Sequence, residues 1–244
     1  MSAAAAIPIV ALDVPGAAEA MALARALGDR CRFYKVGSEL FTAAGPDIVR
    51  KLRAEVGADV FLDLKFHDIP NTVAGAVRTA AKLEVRLLTV HASGGPPMLE
   101  AAQRAASDAA GADCGVLAVT VLTSLDQDVL RRSWGREDPL DMRREVLRLA
   151  TFAADAGLHG VVCSGAEAAA VRSQFGDRLA PLVPGIRLTG GEAHDQARVM
   201  SPLAAQQAGA RYLILGRAVT AAADPRGAME RVLTELRGEP LGPR

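Results

Sequence analysis

VFLDLKFHDIPNTVAGAVRTAAKLEVRLLTVH, residues 60–91, carries the reading of the fold. Its opening run, Val60–Leu64, and its closing run, Arg86–His91, are short and rich in branched apolar side chains. The apolar residues are nearly continuous rather than alternating, as expected of strands buried on both faces. Between them Thr72–Leu83 is alanine-rich at helical spacing. Strand, helix and strand follow one another without a long loop.

The same alternation extends outward in both directions. Strand-like runs recur at Ile7–Leu12, Arg32–Val36, Gly115–Leu122, Gly160–Cys163, Pro181–Pro184 and Tyr212–Leu215. Helix-like segments include Ala17–Leu27, Met98–Ala109, Met142–Ala156, Glu167–Phe175 and Ala218–Leu236. Pro15-Gly16, Pro96-Pro97 and Ser164 mark starts, and Gly157 marks a stop. Eight strand–helix repeats predict an α/β protein built as a (β/α)8 TIM barrel. A doubly wound sheet has about six strands, and no Gly-x-Gly-x-x-Gly follows an early strand here. With no linker or composition break, residues 1–244 are expected to form one catalytic domain, with 238–244 a short polar tail.

Composition narrows the function. Lys+Arg 28 balances Asp+Glu 28, which argues against nucleic acid or an anionic membrane as partner, since both demand a basic surplus. The longest stretch without Asp, Glu, Lys or Arg is Leu87–Leu99, thirteen residues. A spanning helix needs ~20 apolar residues, so no membrane segment is expected. MSAAAAIPIV has no basic leader and runs into Asp13, unlike a signal peptide. Cys31, Cys114 and Cys163 have no metal or disulfide spacing and fit buried thiols of a cytoplasmic protein.

Barrel chemistry sits at the C-terminal strand ends and the loops leaving them. The polar residues there are Asp13, Lys35, Asp63, Lys65, His91, Thr123, Ser124, Ser164, Arg187 and Arg217. Asp63 and Lys65 are two apart, so they share a face, with Leu64 opposite. An Asp-x-Lys by itself also fits a structural salt bridge. Lys35, Asp13 and Asp68 enlarge it to a cluster of alternating sign, which favours a site. Gly216-Arg217 follows the last strand and opens a helix, where barrels commonly bind phosphate, and Arg187 adds a second cation. A solvated arginine at a helix start is the plainer alternative for Arg217. His91 fits a hydrogen-bonded structural role better than an acid or base, and His67 is left out of the catalytic set. Glu39, Glu100 and Trp134 read as surface or packing residues.

The run Asp63-Leu-Lys65-Phe-His-Asp68-Ile-Pro-Asn-Thr72 resembles the signature of the orotidine 5′-phosphate decarboxylases. The likeness continues through Ala11-Leu12-Asp13, Lys35-Val36-Gly37, Thr89-Val90-His91-Ala92, Val121-Leu122-Thr123-Ser124, Val183-Pro184-Gly185-Ile186-Arg187, Asp195–Val199 and Gly216-Arg217-Ala218-Val219. Asp-x-Lys-x-x-Asp is shared with sugar-phosphate decarboxylases and synthases of the superfamily, whereas the longer run is more specific. The resemblance implies cofactor-independent and metal-free conversion of orotidine 5′-monophosphate to UMP and CO2. It implies Lys65 as proton donor, Asp63 holding it beside the substrate carboxylate, and Asp13 and Lys35 at the ribose hydroxyls. Thr123 and Ser124 would read the ring amide edge. Arg187, Gly216, Arg217 and Gln196 would bind the phosphate, Gln196 from a lid hinged at Gly190-Gly191. It further implies a homodimer in which Asp68, Ile69 and Thr72 reach the neighbouring site. The competing readings are a magnesium-dependent decarboxylase or aldolase of sugar phosphates and a non-catalytic nucleotide-binding barrel.

Overall fold

Strands that are apolar on both faces have one simple solution: helices cover the outer face and the strands' own side chains fill the inner one. A computed structural model, which describes residues 5–109, 113–188 and 200–239, adopts it. The strands are β1 (Ile7–Ala11), β2 (Phe33–Gly37), β3 (Asp59–Phe66), β4 (Leu87–His91), β5 (Gly115–Val119), β6 (Gly160–Val162), β7 (Ala180–Val183) and β8 (Tyr212–Leu215). They pair in parallel in chain order, and β8 pairs with β1 to close the barrel.

Helices fill every connection. Helix α1 (Ala17–Leu27) joins β1 to β2; α2 (Ser38–Ala44) and α3 (Asp47–Val56) lead to β3; α4 (Pro70–Ala81) leads to β4; and α5 (Pro96–Ser107) leads to β5. The second half continues with α6 (Gln127–Ser133) and α7 (Met142–Asp155), α8 (Gly165–Phe175), α9 (Pro202–Gln207), then α10 (Arg217–Thr220) and α11 (Pro225–Leu236) after β8. Their starts are chemically specified. Ser164 and Glu167 form a capping box on α8, and the Asp126, Asp141 and Ser201 side chains accept backbone N–H groups at the starts of α6, α7 and α9.

Two expectations change. Ala218–Leu236 divides into α10 and α11, because Pro225 cannot continue a helix but suits the first position of a new one, which Asp224 caps. The fifth strand stops at Val119 rather than Leu122, since its neighbour β6 ends at Val162, the residue that pairs with Val119.

Side-chain parity then positions the site. Ile9, Ala11, Phe33, Phe61, Leu87, Leu117, Leu182, Tyr212 and Ile214 form a cluster filling the barrel. Their neighbours, such as Val10, Tyr34, Leu62, Leu88 and Leu213, pack outward with Leu27, Leu40, Leu52 and Leu99 of the helices. Continuing the inward parity of β1, β2, β3 and β8 past the apolar filling brings Asp13, Lys35, Asp63 and Gly216 to the C-terminal mouth.

Candidate active site

A cavity of about 340 Å³ opens at that mouth. Phe61, Val119, Val162, Leu182 and Ile214 form its floor side, and Asp13, Lys35, Asp63, Lys65, Thr123, Arg187, Gly216 and Arg217 line its polar parts. The size falls in the range that holds small ligands.

The charges from β1, β2 and β3 form a chain of alternating sign. Lys35 Nζ lies 2.8 Å from Asp13 Oδ1 and 3.8 Å from Asp63 Oδ2. Lys65 Nζ lies 2.9 Å from both oxygens of Asp63. The inner members are nearly removed from water, with side-chain exposure of 10% for Lys35 and 13% for Asp63, whereas Lys65 is 36% exposed and faces the opening. Isolated ions at such depth would cost several kcal/mol each, and alternation offsets that cost.

Lys65 owes its aim to an irregular backbone. Between the pairs Leu62–Leu88 and Phe66–Val90 the β3–β4 register shifts, with three residues of β3 spanning what one of β4 covers. Lys65 sits in this bulge at φ 52°, a left-handed conformation that costs a non-glycine residue about 1–3 kcal/mol. Bulges re-aim side chains beside active sites. Here the bulge returns the ammonium to the carboxylate two residues earlier. The Lys65 N–H donates to Thr89 Oγ1 at 2.9 Å, and that hydroxyl donates to Asp63 Oδ1 at 3.0 Å. Thr89 has no assigned role in the sequence reading. Its one signal there is a hydroxyl in the middle of an apolar strand.

The second half of the mouth is cationic. Arg187 follows β7 and Arg217 follows β8, with Gly185 and Gly216 also on the wall. Arg187 Nε is buried without a hydrogen-bond partner among the described residues. Gly185 adopts φ 77°, open to glycine at little cost. Because α10 is only four residues long, the positive charge of this wall comes from the guanidinium groups rather than from a helix dipole.

Not every expected residue converges. Thr123 lines the cavity, while Ser124 is exposed and off its wall. Asp68, Ile69 and Thr72 are exposed and do not line their own chain's cavity; the Asp68 carboxylate accepts the Ile69 N–H at 2.6 Å. Gln196 and the Gly190-Gly191 hinge lie outside the described residues. His91 packs on His67, ring centroids 5.3 Å apart. Burial, then the charges of His67 and Lys65, pull its pKa below the ordinary histidine value and favour the neutral ring.

The model of the orotidine 5′-phosphate decarboxylase / HUMPS family matches residues 7–232. The chain belongs to this family. Within it, an orotidine 5′-phosphate decarboxylase of Halorhodospira halophila is 50% identical over 228 residues, covering 93% of this chain and 94% of that protein. One from Sodalis glossinidius is 50% identical over 230 residues, with 93% and 89% covered. The crystal structure of orotidine 5′-phosphate decarboxylase from Lactobacillus acidophilus superposes with a TM-score of 0.83 at 37% identity, covering 95% and 99% of the two chains. The family's barrel and this one agree through nearly their whole length.

Proposed function

We propose that this protein is a carboxy-lyase that converts orotidine 5′-monophosphate to UMP and CO2 in the cytoplasm, without metal or cofactor. The observation that carries the reading is the Asp13–Lys35–Asp63–Lys65 chain at one side of a cavity whose other side presents Arg187 and Arg217. The arginines suit the 5′-phosphate. Asp13 and Lys35 suit the ribose hydroxyls, and Thr123, with Ser124 beside it in the chain, suits the ring amide.

The chemistry follows from where charge develops. Breaking the bond between C6 and the carboxylate leaves the electron pair on C6, with no adjacent carbonyl to absorb it. A fixed ammonium beside that carbon stabilises the pair as it forms, and a preorganised charge in a pocket shielded from water is most effective. Lys65 then gives one proton from Nζ to C6 and is reprotonated from solvent. Asp63, held between two ammonium groups, keeps Lys65 in place and keeps its own negative charge near the departing carboxylate.

Among the described residues no group of three or more His, Cys, Asp and Glu side chains stands where it would hold a metal ion. No helix among them is long and apolar enough to cross a membrane. The exposed Asp68, Ile69 and Thr72 suit completion of a partner's site in a homodimer. The test is to mix purified protein with orotidine 5′-monophosphate and EDTA and follow loss of the orotate ultraviolet band. Turnover with chelator present is expected. Absence of turnover overturns the reading, and turnover that requires added magnesium overturns its metal independence.

A further inference from the structure

Thr89 is fully buried on β4, next to the bulge of β3. A hydroxyl has one hydrogen to donate and lone pairs to accept with. Thr89 uses both: Oγ1 accepts the Lys65 backbone N–H, and its hydrogen goes to Asp63 Oδ1. The Lys65 ammonium donates to the same Asp63 oxygen. The contacts close a ring running from the backbone of residue 65 through the Thr89 hydroxyl and the Asp63 carboxylate to the ammonium of residue 65. The Lys65 N–H polarises the Thr89 hydroxyl, and this hydroxyl and the ammonium converge on one carboxylate oxygen, so the contacts hold one another in place.

We infer that Thr89 is a positioning residue for decarboxylation, fixing both the left-handed backbone of Lys65 and the Asp63 carboxylate so that the ammonium meets the reacting carbon. This role rests on the assignment of Lys65 and Asp63 proposed above. Valine has nearly the shape of threonine and neither donates nor accepts, so Thr89→Val removes the ring while keeping the packing. Substrate phosphate and ribose contacts lie elsewhere in the cavity, so binding should survive where turnover does not.

The experiment compares wild type, Thr89→Val, Thr89→Ser and Lys65→Ala in steady-state turnover of orotidine 5′-monophosphate, with UMP affinity by calorimetry and folding by circular dichroism. A displaced reacting group costs about 10- to 100-fold in rate, so Thr89→Val is expected to lose kcat by that factor. KM and the UMP dissociation constant should stay within about two-fold, since the lost interaction serves the transition state alone. Thr89→Ser, which keeps the hydroxyl, should recover most of kcat. If Thr89→Val does not fold, Thr89→Cys, a much weaker donor, takes its place with a loss in the same direction. An unchanged kcat, a loss confined to KM, or a serine variant as impaired as valine overturns the role. When wild type turns over, Lys65→Ala is dead and Thr89→Val is unaffected, the role alone falls. When wild type itself is inert, the proposed function falls, and the role with it.

Discussion

Both carboxylate oxygens of Asp63 lie 2.9 Å from the ammonium nitrogen of Lys65. A two-point contact fixes the ammonium's position more firmly than a single bond does. The same carboxylate also faces Lys35, at 3.8 Å, so one anion orders two cations. A lysine held this way on the cavity wall has its direction fixed by the carboxylate two residues before it.

The first prediction concerns that proton. Lys65→Ala should lower kcat by at least the 10²–10⁴-fold that general acid catalysis supplies, because no other ammonium on the wall is aimed from the β3 bulge. UMP should still bind, since the arginines are untouched. Turnover at the wild-type rate would remove Lys65 from the chemistry, and calorimetry with UMP separates that outcome from a collapsed cavity.

Arg187 and Arg217 carry a different expectation. If they hold the phosphate, Arg217→Ala and Arg187→Ala should raise KM well before they affect folding. Loss of one charge-assisted hydrogen bond is worth about 1.5–3 kcal/mol, or roughly 10- to 150-fold in affinity. Inorganic phosphate should protect the wild-type protein against heating and protect each variant less. Equal KM values for variant and wild type would count against the phosphate assignment.

These variants were chosen at positions that the sequence makes visible. Period and parity were enough for the barrel, because near-continuous apolar strands and alanine-rich helices leave few other arrangements. Parity placed Asp63 on the inner face, the bulge rather than parity turned Lys65 back to it, and barrel geometry added Asp13, Lys35, Arg187 and Arg217 at the same end. Thr89 shows in the sequence only as a hydroxyl in an apolar strand, because its meaning depends on a register shift between β3 and β4, and a bulge leaves no pattern in one strand read alone. The break at Pro225 was legible in principle, since proline ends a helix, but the helical period across Ala218–Leu236 masks it. Ser124, next to the wall residue Thr123, falls off the wall because the chain leaves the strand after Val119 and parity no longer applies.

Two histidines set a pH dependence of stability. The pKa values of His91 and His159 are both lowered from the ordinary 6.5, in each case chiefly by burial, then by neighbouring positive charge. The unfolded chain therefore takes up protons near pH 6.5 while the folded chain still holds both rings neutral. More protons bound unfolded means stability that falls as pH drops, and the effect levels off once pH is below the folded-state values. The melting temperature should decline between about pH 7.5 and pH 5.5, the window in which histidine titrates. His91→Gln and His159→Gln should each flatten the decline. A slope unchanged in both variants would assign the dependence to other groups.

The last prediction follows from three side chains that avoid their own cavity. Ile69 is 66% exposed, unusual for a large apolar residue, and it stands between the exposed Asp68 and the N-terminus of α4, with Thr72 on the same turn. If these residues finish a partner's site across a two-fold axis, each site contains Lys65 of one subunit and Asp68 of the other. Lys65→Ala and Asp68→Ala homodimers are then both impaired at every site. A mixed dimer places both substitutions in one site and leaves the other intact. With equal mixing and free exchange about half the dimers are mixed, so activity should return to about one quarter of wild type per site. A self-contained site predicts no recovery at all, and labelled subunits that exchange without regaining activity would return Asp68 to a purely local role at the start of α4.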